Sequence, residues 1–474
     1  MPDARDRDQG ASEVSERIVV VGGGLGGVRS AERLREMGFD GQITILSAER
    51  HLPYHRPCLS KQIITGEWHP DDSLLSFSGD LDAEWRMNSP ALHLDPKTQS
   101  VWVPGGEEIK YDGMIIATGV DARAMGGAPR HDPRVHVLRT LDDAVAIRKN
   151  IRQSQGLVAV IGGGFIGCEL ACSVRHMGRD VALIVRSPAL LGGVVGDDIG
   201  KKITEAHVEH GVRLATGVGI KHWVRQPGGI GIHLSDGQVF FASCVVLAVG
   251  ASPAVDWLRG SGLVIEDGVL CDATNHVVGA ENIVACGDVA RWPNLRFNGV
   301  VRRVEHWLNA VEGGRAAAEN LLVGRSHAKP YTPVPRFWTE QYGMRVQGAG
   351  LPVLGTDTTD VNGLTGFIAD GKLVGIVGLE SPGKIITETP ELFRQNTVDT
   401  NRQVWTQPAE ETAAAAEVPE VLPTTQIPVP EPVAARASSV PPSVSSSMSP
   451  PLQRRRHSRS RPEMVRVGGG RARP

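Results

Sequence analysis

The sequence has no long apolar run and no apolar leader. None of its uninterrupted apolar stretches approaches the ~20 residues that a membrane-spanning helix needs. The first 17 residues are polar and charged, whereas a secretory signal requires an apolar core. The composition therefore predicts a cytoplasmic protein without a membrane partner.

Cysteine pairs are also absent. The six cysteines form no C-x-x-C pair and show no zinc-site spacing, so we expect no metal site. They are Cys58, Cys168, Cys172, Cys244, Cys271 and Cys286. Cys168 and Cys172 would lie one turn apart on a helix, which invites a redox interpretation. An apolar helix face explains them better, because a free cysteine in a core behaves as a small hydrophobe.

The folded body lacks an excess of either charge. Lysine and arginine total 50 against 53 acidic residues, a net charge of -3. Nucleic-acid binding depends on positive charge that neutralises phosphates, so we expect none from the folded body.

The two ends of the chain differ in composition from its body. Residues 1–16 are predicted to be a flexible leader, and residues 395–474 are rich in Pro, Ala, Ser, Glu and Val. Such a segment buries too little apolar surface to offset its ordering entropy, so a disordered tail is expected. The basic cluster Arg454–Arg461 is either a solvated end or a contact for an anionic partner.

What the chain does contain is a glycine-rich pattern that occurs twice. Gly22-Gly23-Gly24-Leu25-Gly26-Gly27 follows the apolar run Ile18–Val21, and Gly162-Gly163-Gly164-Phe165-Ile166-Gly167 follows Val158–Ile161. Each copy is typical of a strand, a tight turn and a helix, which is the context of a dinucleotide-binding motif. The glycines expected to contact the dinucleotides are Gly22, Gly24 and Gly27 in the first copy and Gly162, Gly164 and Gly167 in the second. Two such motifs in one chain indicate electron transfer between two dinucleotides.

The residues after the second strand of each copy differ. Glu49 follows Ile43–Leu46, where a carboxylate can accept hydrogen bonds from ribose hydroxyls. Arg186 follows Val181–Val185, where a guanidinium can bind a 2′-phosphate. Arg186 thus favours NADPH over NADH, although NADH remains an alternative. Glu49 and Arg186 could each instead be an ordinary surface charge.

The length predicts about three domains. The second glycine motif lies in residues 125–250, and the stretches 17–124 and 251–325 resemble two halves of one domain. Residues 326–394 would form a smaller domain, in which Asp370-Gly371-Lys372 joins two strands of a hairpin. The predicted fold class is α/β, with two Rossmann-like dinucleotide-binding domains and a small C-terminal α+β domain.

Five motifs along the chain carry a family resemblance. They are Pro53–Lys61, Met114–Gly119, Cys286–Ala290, Glu305–Trp307 and Pro335–Gly343. From about Arg17 to Phe393, the chain resembles the FAD-dependent pyridine nucleotide-disulfide oxidoreductase superfamily, and within it the ferredoxin and rubredoxin reductases that supply oxygenases. The last motif is the most specific, because the disulfide-type relatives carry a dimerisation domain with another signature there.

The resemblance implies roles for particular residues. Asp288 would hydrogen-bond the ribitol of FAD, Lys61 would lie near flavin N5, and Glu169 would pair with Lys61. Trp338 would pack beside the isoalloxazine ring. The other residues that the motifs place near FAD are Arg56, Thr118, Gly119, Glu305 and Trp307. The alternatives are that Lys61 and Glu169 are unrelated surface charges and that Trp338 only fills the core.

The resemblance also implies how electrons leave the flavin. Disulfide-type relatives use two cysteines with C-x4-C spacing, but here Cys58 stands alone, in place of a usual proline. A hydride from NAD(P)H would therefore pass to FAD, and electrons would leave singly to a ferredoxin-like iron–sulfur carrier. A rubredoxin-like or other small acceptor, a flavin-thiol NAD(P)H oxidase that uses Cys58, and a redox-sensing scaffold remain as alternatives.

Overall fold

The computed structural model describes residues 17–77 and 81–398. The predicted leader 1–16 and the predicted tail beyond Val398, with the basic cluster Arg454–Arg461, lie outside the described residues. Within the described ranges, no helix has the length and apolar character needed to cross a membrane.

The first part of the chain builds most of a parallel sheet. Its elements are β1 (Arg17–Val21), α1 (Leu25–Glu36), β2 (Gln42–Leu46), β3 (Glu84–Arg86), β4 (His93–Asp95), β5 (Ser100–Val103), β6 (Glu107–Lys110), β7 (Gly113–Ile116) and β8 (Val120–Ala122). Strands β7, β1, β2 and β3 are parallel neighbours in that order, whereas β4, β5 and β6 form a small antiparallel sheet. The aliphatic residues of β1 and β7 are buried, as expected where both faces of a parallel sheet are covered.

The middle part forms a second sheet of the same kind. Its elements are β9 (Val135–Val137), α2 (Leu141–Gln153), β10 (Leu157–Ile161), α3 (Phe165–His176), β11 (Val181–Val185), α4 (Gly192–Val195), α5 (Asp197–Glu209), β12 (Arg213–Thr216), β13 (Ile220–Gln226), β14 (Gly229–Leu234) and β15 (Val239–Leu247). Strands β12, β11, β10, β15 and β9 are parallel neighbours in that order. The antiparallel pair β13 and β14 extends the sheet from the first half of β15.

The third part returns to the first sheet. Its elements are β16 (Ala251–Pro253), β17 (Ile265–Glu266), β18 (Gly268–Leu270), β19 (Ile283–Ala285), β20 (Ala290–Asn294), β21 (Val300–Arg302) and α6 (Trp307–Val323). Strand β19 pairs with β7, so the first sheet has five strands in the order β19-β7-β1-β2-β3. Helix α6 packs closely on α1, because a Cβ on Gly314 would lie 2.5 Å from the carbonyl oxygen of Gly26.

Two short strands lie where the chain leaves the first sheet and where it returns. Strand β8 pairs with β16 in antiparallel fashion, with Val120 opposite Pro253. The hydroxyl of Thr118 donates to the carbonyl oxygen of Ala254 at 2.8 Å. The entire second sheet is therefore inserted between two adjacent strands.

The last part is a small α+β domain. Its elements are β22 (Arg336–Gln341), β23 (Met344–Gly350), β24 (Asp357–Val361), β25 (Leu364–Ala369), β26 (Lys372–Leu379) and α7 (Pro382–Gln395). The five strands form an antiparallel sheet in the order β22-β23-β26-β25-β24. The predicted hairpin is confirmed: β25 and β26 meet at Asp370 and Gly371, with φ of 50° and 72°. The predicted α/β class with two Rossmann-like sheets and a small α+β domain is confirmed as well.

The contact of α1 with α6 gives a test with a matched control on one helix. We expect Gly314→Ala to lower the free energy of unfolding by about 1–3 kcal/mol, because its methyl group would meet rigid backbone. Gly313→Ala should instead be neutral or stabilising, since its Cβ would lie 3.5 Å from Tyr331 in ordinary contact and alanine is the better helix former. Urea unfolding of both variants measures the difference, and equal effects would contradict the close contact.

Candidate active site

The first glycine motif forms a tight turn between β1 and α1. Gly22 has a φ of 121°, and a Cβ there would lie 2.2 Å from the carbonyl oxygen of Ala117. A Cβ on Gly27 would lie 2.0 Å from the carbonyl oxygen of Gly22. Gly24 is the N-cap of α1 and has no side-chain cap. Only glycine fits this turn, and the uncapped helix N-terminus is suited to a pyrophosphate.

The second glycine motif repeats this geometry between β10 and α3. Gly162 has a φ of 117°, and its Cβ would lie 2.1 Å from the carbonyl oxygen of Ala248. A Cβ on Gly167 would lie 1.9 Å from the carbonyl oxygen of Gly162. Gly164 is the N-cap of α3, and a Cβ there would meet no atom within 4 Å. Both turns therefore fit a dinucleotide.

Glu49 lies at the end of β2 in a small polar cluster. Its carboxylate accepts hydrogen bonds from the Tyr54 hydroxyl and from Arg56, both at 2.5 Å. Arg56 also donates to the carbonyl oxygen of Arg139 at 2.8 Å. Glu49 is thus anchored, and since a carboxylate offers about four acceptor positions, it can still accept from ligand hydroxyls.

Asp288 follows β19 at the carboxyl edge of the first sheet, where ligands of such sheets bind. Burial raises the pKa of its carboxyl group, and the nearby Arg139 opposes that rise. The Arg139 guanidinium lies 3.3 Å from Asp288 Oδ2 and also donates to the carbonyl oxygen of Val120. The φ of +70° at Gly119 favours glycine, and a Cβ there would lie 3.4 Å from Arg139.

Lys61 and Glu169 lie together although they are distant in the sequence. The Lys61 ammonium is 2.7 Å from Glu169 Oε2, and the carboxylate is only 6% exposed. Ser60 donates to the same oxygen at 2.6 Å, and Thr339 donates to Oε1 at 2.7 Å. Lys61 lies in a π-helical turn, Leu59–Ile63, a form often found at functional sites. The buried Glu169 carboxylate thus accepts three hydrogen bonds, and Lys61 and Glu169 form an ion pair and not two separate surface charges.

The remaining candidates from the sequence lie around these groups. The rings of Trp307 and Trp338 are 6.3 Å apart in an edge-to-face arrangement, and Trp307 also contacts His55. Trp338 is partly exposed, as is Trp307. Glu305 accepts from Arg303 at 2.6 Å.

Arg186 follows β11 and is exposed. It makes no hydrogen bond or ion pair to the residues that the structure describes. Its guanidinium is therefore available to a ligand bound at the second glycine turn.

The cysteines do not form a redox centre. All six are free, and within the described residues no group of three or more His, Cys, Asp or Glu side chains could hold a metal ion. Cys58 is 1% exposed, and its Sγ donates to the carbonyl oxygen of His55 at 2.8 Å. Burial raises the pKa of its thiol to about 11, which disfavours the thiolate.

Sequence reasoning did not predict the roles of three side chains of the site: Arg139, Ser60 and Thr339. Arg139 directly precedes the capping box of α2 and belongs to none of the motifs. Ser60 and Thr339 lie inside the quoted motifs, and their hydroxyl groups next to Lys61 and Trp338 were the available signal.

Two glycine turns of equal geometry, with a buried lysine–carboxylate pair that joins their domains, define an oxidoreductase with two dinucleotide sites. The chain belongs to the pyridine nucleotide-disulphide oxidoreductase family, whose profile matches residues 16–314.

Similar proteins extend the match beyond that profile. The chain is 33% identical to rhodocoxin reductase of Rhodococcus erythropolis, over 73% of this chain and 80% of the relative. It is 30% identical to the benzene 1,2-dioxygenase system ferredoxin–NAD(+) reductase subunit of Pseudomonas putida, over 78% of this chain and 90% of that one. The solved ferredoxin reductase of Rhodopseudomonas palustris is 27% identical with a TM-score of 0.75, covering 81% of this chain and 98% of that one.

The pairing of Arg139 with Asp288 predicts a pH-dependent loss of stability in Arg139→Met. Without the guanidinium, the pKa of the partly buried Asp288 rises further above its unfolded value. A carboxyl group with a raised folded-state pKa stabilises the fold at low pH and loses that contribution as the pH rises. We therefore expect the variant to be less stable than wild type by about 1–3 kcal/mol at about pH 7.5, and by less at about pH 5.

Thermal unfolding at the two pH values measures this effect. The double variant Arg139→Met/Asp288→Asn is the control, because it has no carboxyl group to titrate at position 288, so its deficit should not grow as the pH rises. A deficit of Arg139→Met that grows toward low pH would contradict the ion pair.

Proposed function

We propose that the chain is an FAD-dependent reductase that takes a hydride from NAD(P)H and passes electrons singly to a small iron–sulfur carrier of the ferredoxin type. The observation that carries this proposal is the Lys61–Glu169 ion pair, which lies between the two glycine-turn domains, where every cysteine is free and none forms a disulfide. Rhodocoxin reductase and the benzene dioxygenase reductase subunit, which the chain resembles, are named for reductase activity of this kind.

FAD suits the first glycine turn. The turn offers backbone N–H groups to a pyrophosphate, Glu49 and Arg56 stand at the end of β2, and Asp288 stands at the end of β19. The close approach at Gly22 leaves no room for a side chain in that turn. When bound, FAD accepts a hydride and can release its electrons one at a time.

The residues between the sites position and polarise the reacting groups. Glu169 holds the Lys61 ammonium in place, and with FAD bound that ammonium would supply fixed positive charge to stabilise the reduced flavin. The edge-to-face pair of Trp307 and Trp338 would cover the ring system and limit the access of water. Positioning supplies most of the rate for such a transfer, which needs no general acid or base.

Arg186 supports a preference for NADPH at the second glycine turn. It is exposed and unpaired among the described residues, and no acid follows β11. The benzene dioxygenase relative is named for NAD(+), so the preference is a property proposed for this chain.

The main test is acceptor-dependent turnover. With NAD(P)H as donor and under anaerobic conditions, the purified protein should reduce ferredoxins from a panel that also contains rubredoxins. The Cys58→Ser variant should keep the wild-type rate, because the Cys58 thiol is buried and protonated. Oxygen consumption that Cys58→Ser abolishes would favour a flavin-thiol oxidase. Flavin reduction without turnover on any carrier would favour a redox-sensing scaffold.

The nicotinamide preference is tested by charge reversal. We expect Arg186→Glu to shift the ratio of kcat/KM from NADPH toward NADH by about tenfold or more, since a charge-assisted hydrogen bond contributes about 1.5–3 kcal/mol. Arg186→Gln is the control and should give an intermediate ratio. An unchanged ratio in Arg186→Glu would show that this side chain does not contact the 2′-phosphate.

A further inference from the structure

A hydrogen-bonded chain runs from Glu169 away from Lys61 to helix α5. Thr339 donates to Glu169 Oε1 at 2.7 Å, and Gln341 Nε2 donates to Thr339 Oγ1 at 3.3 Å. Gln341 Oε1 lies 2.8 Å from His207 Nε2, and the Tyr342 hydroxyl lies 3.0 Å from His207 Nδ1. The chain thus connects the π-helical turn, α3, β22 and α5.

In each hydrogen bond of this series, only one of the two partners can be the donor. A carboxylate only accepts, so Thr339 must donate to Glu169 and can accept only from the amide nitrogen of Gln341. The amide oxygen then faces His207, so Nε2 of the ring carries the proton. In the neutral ring Nδ1 accepts, and the Tyr342 hydroxyl donates to it. All four donors therefore point toward Glu169.

The hydrogen-bonded chain is shielded from water between Glu169 and His207. Glu169, Thr339, Gln341 and His207 are 6%, 1%, 3% and 0% exposed. In such surroundings hydrogen bonds polarise one another, and an unmade bond costs more than at the surface. Burial lowers the pKa of His207 to about 4, so the ring stays neutral near neutral pH.

Tyr342 lies, with Gly343, in the two-residue turn that joins β22 to β23. It has a φ of 52°, a left-handed conformation that a bulky residue rarely adopts. Its amide donates to Cys172 Sγ at 3.2 Å, and its ring stacks on His210 at 3.9 Å. A positive φ at both turn residues is the geometry of a tight two-residue hairpin loop, and it places the Tyr342 hydroxyl beside His207.

We propose that His207 is a positioning residue of the reductase, which acts on the Lys61 ammonium through Gln341, Thr339 and Glu169. The inference rests on the proposed function, because it requires a flavin beside Lys61. Loss of the His207 donor frees the Gln341 amide, weakens the hold on Thr339 and leaves more negative charge on Glu169. That charge opposes electrons on the neighbouring flavin.

The decisive comparison is His207→Leu with His207→Gln. Leucine removes the donor, whereas glutamine can place an amide N–H where Nε2 stands. In holoenzyme we expect His207→Leu to shift the flavin midpoint potential to a more negative value and to slow hydride transfer about 3- to 10-fold, in keeping with the net value of about 0.5–1.5 kcal/mol for one hydrogen bond. His207→Gln should restore most of the midpoint potential and most of the rate of hydride transfer. Lys61→Ala marks the full loss of the ammonium.

His210→Gln is the matched control on the same helix. His210 is exposed and stacks on Tyr342, but it is not part of the hydrogen-bonded series from Glu169 to His207. The flavin midpoint potential of His210→Gln should therefore equal that of wild type. Should His207→Leu fail to fold, Thr339→Val and Thr339→Ser make the same comparison, because only serine keeps the hydroxyl group. A well-folded His207→Leu or Thr339→Val with an unchanged potential would overturn the inference, as would equal effects of His207→Leu and His207→Gln.

Nitrogen NMR of the histidine rings gives a readout that does not depend on turnover. We expect His207 to show the Nε2–H tautomer at neutral pH, and the other tautomer would overturn the assigned direction. Failure of the proposed function is distinguishable, because wild type itself would then show no flavin reduction by NAD(P)H or no turnover on any carrier.

Discussion

Burial of the Glu169 carboxylate is the constraint on which the site depends. An ionised group removed from water must be paired and hydrogen-bonded, or it destabilises the fold. Here Ser60 and Lys61 come from the first sheet's domain, and Thr339 comes from the C-terminal domain. One carboxylate thus requires three parts of the chain to meet at one point, and it fixes where the lysine ammonium lies.

The sequence predicted the fold because the fold depends on local signals. The glycine turns need positive φ and close backbone contacts that only glycine allows, so Gly22 and Gly162 identify both Rossmann-like units. Asp370-Gly371 identifies its hairpin in the same way. These features are set within a few residues, and a single sequence displays them.

The site was less predictable because its contacts are between distant residues. Lys61 and Glu169 could be proposed together only through the family resemblance, and the sequence carries no sign that Arg139 would face Asp288. His207 lies 134 positions from Gln341, and no short pattern connects them. Side chains that act through another residue have no motif of their own, because they need only the right three-dimensional position and this is not encoded by neighbouring residues in the sequence.

The antiparallel pairing of β8 with β16 has a consequence for how this architecture changes over time. The segment that carries the second glycine turn enters and leaves through two strands that are hydrogen-bonded to each other, so its ends are already adjacent. A segment with adjacent ends can be replaced as a cassette without redirecting the rest of the chain. The second sheet and its glycine turn can therefore evolve inside the insert, while the first sheet and its glycine turn are inherited unaltered.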